Sequence, residues 1–162
     1  MMGMNIYFSC SITGGRNDQA AYAALVEALL ADGHEVPTAH LSDQNVLEEE
    51  AVVSPQSVYE RDVAWIKGCD VVVAEVSTPS HGVGYEIALA EGYGKPVLCC
   101  FRQGRRVSKM ITGNSNPALK VVTYQTDKEL VSNVRDFLSR LEESLQTPIK
   151  ADLDLLPGGE LP

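Results

Sequence analysis

The chain has 162 residues, of which 44% are hydrophobic and 22% charged, and its formal net charge is -9. That length and apolar content suit one globular domain burying roughly 70% of the unfolded chain's surface. The acidic balance argues against a duplex-binding protein, and no run of about 18 apolar residues is present to span a membrane.

The pass along the chain starts at "MNIYFSCS", residues 4–11, short and rich in strand formers, which predicts strand one. "ITGGRND" is a glycine-rich turn. A first helix follows, with Asp18 as its N-cap and Tyr22, Leu25, Val26, Leu29 and Leu30 at helical spacing. "HEVPT" reads as a short second strand, at an edge because of Pro37. Residues 38–55 read as an exposed loop, with the run Glu48, Glu49, Glu50 solvated. A second helix is expected over residues 56–67. "DVVVAEV" is strand three, and its near-continuous valine content fits a strand covered on both faces. A third helix over residues 83–93 places Glu86 in its first turn. "KPVLCCFR" is strand four, then a basic loop and a short helix at "VSKMIT", then strand five at "ALKVVTY". Residues 127–144 form a last amphipathic helix. The remainder is rich in Pro and Gly, so we expect a single domain over residues 1–144 and a flexible tail over 145–162.

Strands alternating with helices predict an α/β, Rossmann-like, doubly wound five-stranded parallel sheet of order 2-1-3-4-5. In that order ligands bind at the switch point, outside the carboxyl ends of strands one and three. "SITGGR" and "STPSHGVGYE" then face each other across one crevice, and the basic loop with Arg102, Arg105, Arg106 and Lys109 joins the same edge. A positive patch in an acidic protein points to a small anion.

Two carboxylates stand out there. Asp62 falls on the apolar stripe of its helix beside Val58, Tyr59, Trp65 and Ile66. Burial favours its protonated form, as a general acid needs. Glu86, near a helix N-terminus, is expected to stay ionised, as a nucleophile needs. Such a divergent pair is the pattern of glycosidic-bond cleavage. Each also has an ordinary structural reading, a buried hydrogen-bonded Asp and a first-turn acid. Glycines in "TGGR" let backbone approach an anion, with helix N–H groups aimed at it and Arg16 adding a bidentate contact. Ser80 and Ser108 are hydroxyl donors in the other two loops. Tyr7, near the end of strand one, can aim its hydroxyl at either carboxylate. His40 and His81 flank the crevice. The three histidines form no metal spacing, so neither metal nor cofactor is expected. Cys10, Cys69, Cys99 and Cys100 read as buried free thiols in a reducing cytoplasm, and the opening "MMGMNIYFSC" does not read as a signal peptide.

The segments "IYFSCSITGGR", "ERDVAWIKGCDVVVAEVSTPSHGVGYEIALA", "KPVLCCFR" and "RRVSKMITG" follow in this order over roughly residues 4–122. In them the chain resembles the 2'-deoxynucleoside 5'-phosphate N-hydrolases, a branch of the nucleoside 2-deoxyribosyltransferase superfamily. The resemblance implies a cytoplasmic Rossmann-like homodimer that cleaves the N-glycosidic bond of deoxynucleoside 5'-monophosphates. It places the nucleophile on Glu86, the general acid on Asp62 and a supporting role on Tyr7. Gly14, Gly15, Arg16, Ser80 and Gly82 would hold the 5'-phosphate, with Ser108 contributed by the partner subunit. Ile12, His40 and Met110 would line the base. A retaining mechanism sets the two carboxyl groups about 5–5.5 Å apart. Two other readings stay open: a deoxyribosyltransferase acting on free nucleosides, and a non-catalytic nucleotide-binding module. Neither a nucleic-acid polymer nor a membrane is expected as a partner.

Overall fold

A computed structural model describes residues 2–146. Its elements are β1 (Ile6–Ser9), α1 (Gln19–Ala31), a 3-10 turn (Ala39–Ser42), α2 (Val46–Ala51), α3 (Pro55–Gly68), β2 (Val71–Glu75), α4 (His81–Gly92), β3 (Val97–Arg102), α5 (Lys109–Thr112), β4 (Leu119–Tyr124) and α6 (Asp127–Gln146). The sheet is parallel throughout, in the order β1-β2-β3-β4, with Tyr7 opposite Val72 and Ser9 opposite Ala74. The expected flexible tail falls almost wholly outside the described residues.

Alternation along the strands divides the core into two layers. Ile6, Phe8, Val71, Val73 and Leu98 pack with Leu25 and Leu29 of α1 and Leu130, Val134 and Leu138 of α6. Tyr7, Val72, Ala74 and Val97 pack on the other face with Ile66 of α3 and Val83 and Ile87 of α4. All four cysteines are buried free thiols.

Among the described residues the sheet has four strands, not the five expected. The "HEVPT" segment lies beside β1, where a second strand belongs, but pairs only as one bridge, Asn5 with Glu35. The Glu35 N–H donates to the Met4 carbonyl at 2.9 Å, and its carbonyl accepts from the Ile6 N–H at 2.8 Å. There the ladder stops: Pro37 has no N–H to give, and the next inward donor, the Phe8 N–H, is met by the Thr38 hydroxyl at 3.0 Å. A side chain replaces the backbone acceptor, and the chain turns away.

Residues 38–55 are not an open loop. Leu41 and Val46 are buried, and burying them folds the segment into the 3-10 turn and α2. α4 begins two residues before the expected start, because Ser80 caps it, its hydroxyl accepting from the Val83 N–H at 3.4 Å. Glu86 consequently sits in the second turn, beyond the strongest influence of the helix end.

Candidate active site

The carboxyl ends of β1 and β2 carry the loops that meet. Gly14 touches the second loop so closely that a Cβ there would lie 2.4 Å from the Pro79 carbonyl oxygen and 2.9 Å from the Ser11 hydroxyl. Gly15 follows at φ +132°, a conformation open chiefly to glycine, with Thr78 alongside. Asp18, the expected N-cap of α1, makes no capping bond. It is buried and accepts instead from the Thr78 hydroxyl and from Arg102, both at 3.3 Å. One carboxylate thus ties the three crevice loops together. Arg102 also pairs with Asp127, and Arg105 lies 3.8 Å from Asp18, so part of the basic loop is already neutralised by protein carboxylates. Arg16 is held inward too, donating to the Ser11 carbonyl at 3.1 Å and the Asp43 carbonyl at 2.8 Å.

Asp62 and Glu86 line one cavity of about 120 Å³ between α3 and α4, with Tyr59, Gly82, Tyr85 and Leu89. The Glu86 Oε2 accepts a hydrogen bond from the Ser9 hydroxyl. Tyr7, on the same face of β1, is fully buried, and its hydroxyl lies beside Glu86 without closing a hydrogen bond of good geometry. Burial, and then the charges of Glu86 and Asp62, push the Tyr7 hydroxyl far above the usual tyrosine range.

Burial pushes the Glu86 carboxyl up to about 7, against the pull of Ser9 and Tyr7. The expectation that the helix end holds Glu86 ionised is therefore corrected: removal from water outweighs a dipole felt only weakly in the second turn. Burial raises Asp62 as well, against an Arg61 guanidinium whose Nε donates to its Oδ1 at 2.8 Å. Both acids are raised, so the expected opposition of their environments is absent. What the arrangement offers is two half-buried carboxyls in one pocket, both held toward their protonated forms by burial.

α4 separates this cavity from a larger one of about 410 Å³, lined among others by Ser80, His81, Glu91, Arg106, Ser108 and Met110. Within one chain, Ser108 and Met110 are not brought to the carboxylates. Met110 is 84% exposed, and Ser108 caps the short α5 by accepting from the Met110 N–H at 3.2 Å. Gly82 joins the carboxylate cavity, whereas the Ser80 hydroxyl is committed to the cap. Ile12 is half-buried at the first loop. His40 lies on the Asp62 side, edge-on to Trp65 with 6.1 Å between ring centroids, its Nε2 3.0 Å from Glu50.

Three contributors were missed from the sequence. Ser9 was discoverable, since it lies two residues from Tyr7 and must share its face of the strand. Arg61 and Glu50 carried no such signal: Glu50 belongs to an acidic run that reads as solvated, and only the folding of α2 turns it onto Arg61. Among the described residues no group of three or more His, Cys, Asp or Glu side chains is placed to hold a metal ion.

A family model described as nucleoside 2-deoxyribosyltransferase matches residues 6–134. A mouse protein named 5-hydroxymethyl-dUMP N-hydrolase is 49% identical over 113 residues, covering 67% of this chain and 65% of its own length. The zebrafish (Danio rerio) protein of the same name is 40% identical over 151 residues, covering 91% of this chain and 99% of its own. A Trichoplax adhaerens protein named as a putative 2'-deoxynucleoside 5'-phosphate N-hydrolase 1 is 39% identical over 86% of this chain and 96% of its own. The fold matches the solved structure of the Clostridium botulinum CMP N-glycosidase BcmB with a TM-score of 0.63 at 21% identity, over 82% of this chain and 98% of that one.

Proposed function

The chain belongs to the nucleoside 2-deoxyribosyltransferase family, and we propose that it hydrolyses the N-glycosidic bond of 2'-deoxynucleoside 5'-monophosphates. The products are free base and 2-deoxyribose 5-phosphate. The observation that carries this reading is the meeting of Asp62 and Glu86 in one cavity. Relatives named as N-hydrolases support it.

In the proposed mechanism a Glu86 carboxylate oxygen attacks the anomeric carbon. The bond to the base nitrogen breaks, its electron pair leaves with the base, and Asp62 protonates that nitrogen. Water then attacks the same carbon, its proton passes to Asp62, and the Glu86 ester is released. Ser9 and Tyr7 stabilise Glu86 as it becomes ionised. Gly14, Gly15, Gly82 and Ser80 form the phosphate end, through backbone N–H groups at the loops and the α4 N-terminus. Arg16 orders the first loop from beneath as well as supplying charge. Ile12 and His40 bound the base.

A 120 Å³ cavity is well below the roughly 300–1,000 Å³ of small-molecule pockets. We assign the missing walls to a second copy of the chain. Tyr59 and Tyr85, 54% and 56% exposed, stand at the cavity mouth with ring centroids 6.4 Å apart. A homodimer placing the partner's exposed α5 there would deliver a second Ser108 and Met110. The protein would act as a single domain in the cytoplasm; among the described residues no helix is long and apolar enough to cross a membrane.

The family model's own description favours a second reading, transfer of deoxyribose between bases. One experiment separates the two: base release followed by chromatography for deoxyguanosine and for its 5'-monophosphate, each with and without adenine. Hydrolysis predicts release from the monophosphate alone, unaffected by adenine. New deoxyadenosine formed from the free nucleoside would establish transfer. Ligand binding without base release would leave only a nucleotide-binding module.

A further inference from the structure

Asp62 is not held by its own helix alone. Arg61 reaches it with Nε at 2.8 Å, while Nη1 and Nη2 of the same guanidinium donate to the two oxygens of Glu50 at 3.0 and 3.1 Å. His40 Nε2 lies 3.0 Å from the same Glu50 carboxylate. The guanidinium stacks on Trp65, its Cζ 4.9 Å from the ring centroid. All three ionic side chains are largely shielded, with exposures of 14% for Glu50, 16% for Asp62 and 24% for Arg61. Such a fork has one geometry, because a planar guanidinium fixes the directions of its donors.

Aiming an acid with a cation has a cost. A guanidinium bound to a carboxyl favours the ionised form, and an ionised Asp62 has no proton to give. The bidentate Glu50 offsets this by placing a negative charge on the far side of the same cation. We propose that Glu50 and Arg61 are paired positioning residues for the Asp62 carboxyl: Arg61 aims it into the cavity, and Glu50 cancels the charge that aiming brings. The inference rests on the reading of Asp62 as general acid. It also gives α2 a task, since Glu50 is the residue through which that helix reaches the site.

The charged and titratable groups facing Asp62 are Arg61 and Tyr59 on α3, Glu50 on α2, His40 on the 3-10 turn, Glu86 and Tyr85 on α4, and Tyr7 on β1. Of these, Arg61 alone binds Asp62 directly. Burial pushes Glu50 up, but hydrogen bonds from Arg61 and His40 outweigh it and hold the carboxylate below its usual range, so it supplies a full negative charge near neutral pH.

The test follows the Asp62 carboxyl carbon by NMR titration in the unmodified protein and in the Glu50→Gln, Arg61→Gln and Arg61→Lys variants, alongside steady-state base release. Glu50→Gln leaves Arg61 uncompensated, so the Asp62 midpoint moves to lower pH. Arg61→Gln removes the cation and moves it to higher pH. The lost aim lowers kcat on the order of tenfold to a hundredfold with little change in KM. Arg61→Lys, which keeps the charge and loses the fork, holds the midpoint near its original position with kcat still reduced, and serves if Arg61→Gln does not fold. Midpoints that stay fixed, or that move the same way in Glu50→Gln and Arg61→Gln, overturn the proposal. If the unmodified protein releases no base, the hydrolase reading fails, while the titration still decides whether Glu50 and Arg61 tune Asp62.

Discussion

Glu86 sits in an environment far from that of an ordinary carboxylate. Its carboxyl is raised from 4.5 to about 7 by burial. A raised acid binds its proton more tightly in the folded than in the unfolded chain. The fold is therefore unpenalised below about pH 4.5 and loses stability progressively as pH rises from there to about 7, by on the order of 3 kcal/mol in all. Glu86→Gln should abolish turnover and yet raise the melting temperature at pH 8, with little gain at pH 4, as read by thermal denaturation at both values. Equal effects at the two pH values would mean that the charge is not the source. Attack requires Glu86 ionised and Asp62 protonated, so the pair must hold one proton in total. We expect kcat/KM to be bell-shaped with one limb near pH 7, the limbs belonging to the pair and not to either acid alone. A profile flat from pH 5 to 9 would contradict this.

Among the elements, the contact between the first two crevice loops bears the greatest constraint. Gly14→Ala would drive a methyl group into the Pro79 carbonyl, and backbone cannot swing away as a side chain can. The expected outcome is a lowered melting temperature together with a KM for monophosphates raised at least tenfold, measured against a Gly92→Ala control, where a Cβ meets nothing within 4 Å. How far the elements were legible follows from what each depends on. β2 and its neighbours were readable because a strand buried on both faces needs apolar residues at every position, and Val71–Glu75 has them apart from Glu75. The Glu75 carboxylate is fully buried, bonded to Ser77 and to the Tyr124 hydroxyl at 2.9 Å, an arrangement no local pattern announces. The second strand was misread because its propensity is sound but its ladder is ended by Pro37 and by a hydroxyl arriving from Thr38. α2 was missed because six residues with three glutamates show no apolar stripe, and tertiary burial of Val46 decides the matter. The start of α4 was misplaced because glycines at 82 and 84 mask a helix that Ser80 caps.

At the scale of the molecule, Asp62 and Glu86 line one cavity, while Ser108 and Met110 lie across α4 from them. A homodimer of the proposed kind would return them to the carboxylates from the partner chain. Mixing the inactive Glu86→Ala and Ser108→Ala proteins under conditions of subunit exchange should restore part of the base-releasing activity, because each mixed dimer holds one site with both residues intact. No recovery, with exchange verified by native mass spectrometry, would show that Ser108 acts within its own chain or not at all. Charging the mouth with Tyr59→Asp and Tyr85→Asp should yield a monomer by light scattering, with loss of turnover.

The claim that Glu86 becomes bonded to the sugar can be read directly. Rapid quench of the unmodified protein during turnover of a deoxynucleoside 5'-monophosphate, followed by peptide mass spectrometry, should find deoxyribose 5-phosphate esterified to the peptide containing Glu86. Base release that continues in Glu86→Ala, or an adduct found on any other residue, would contradict the account.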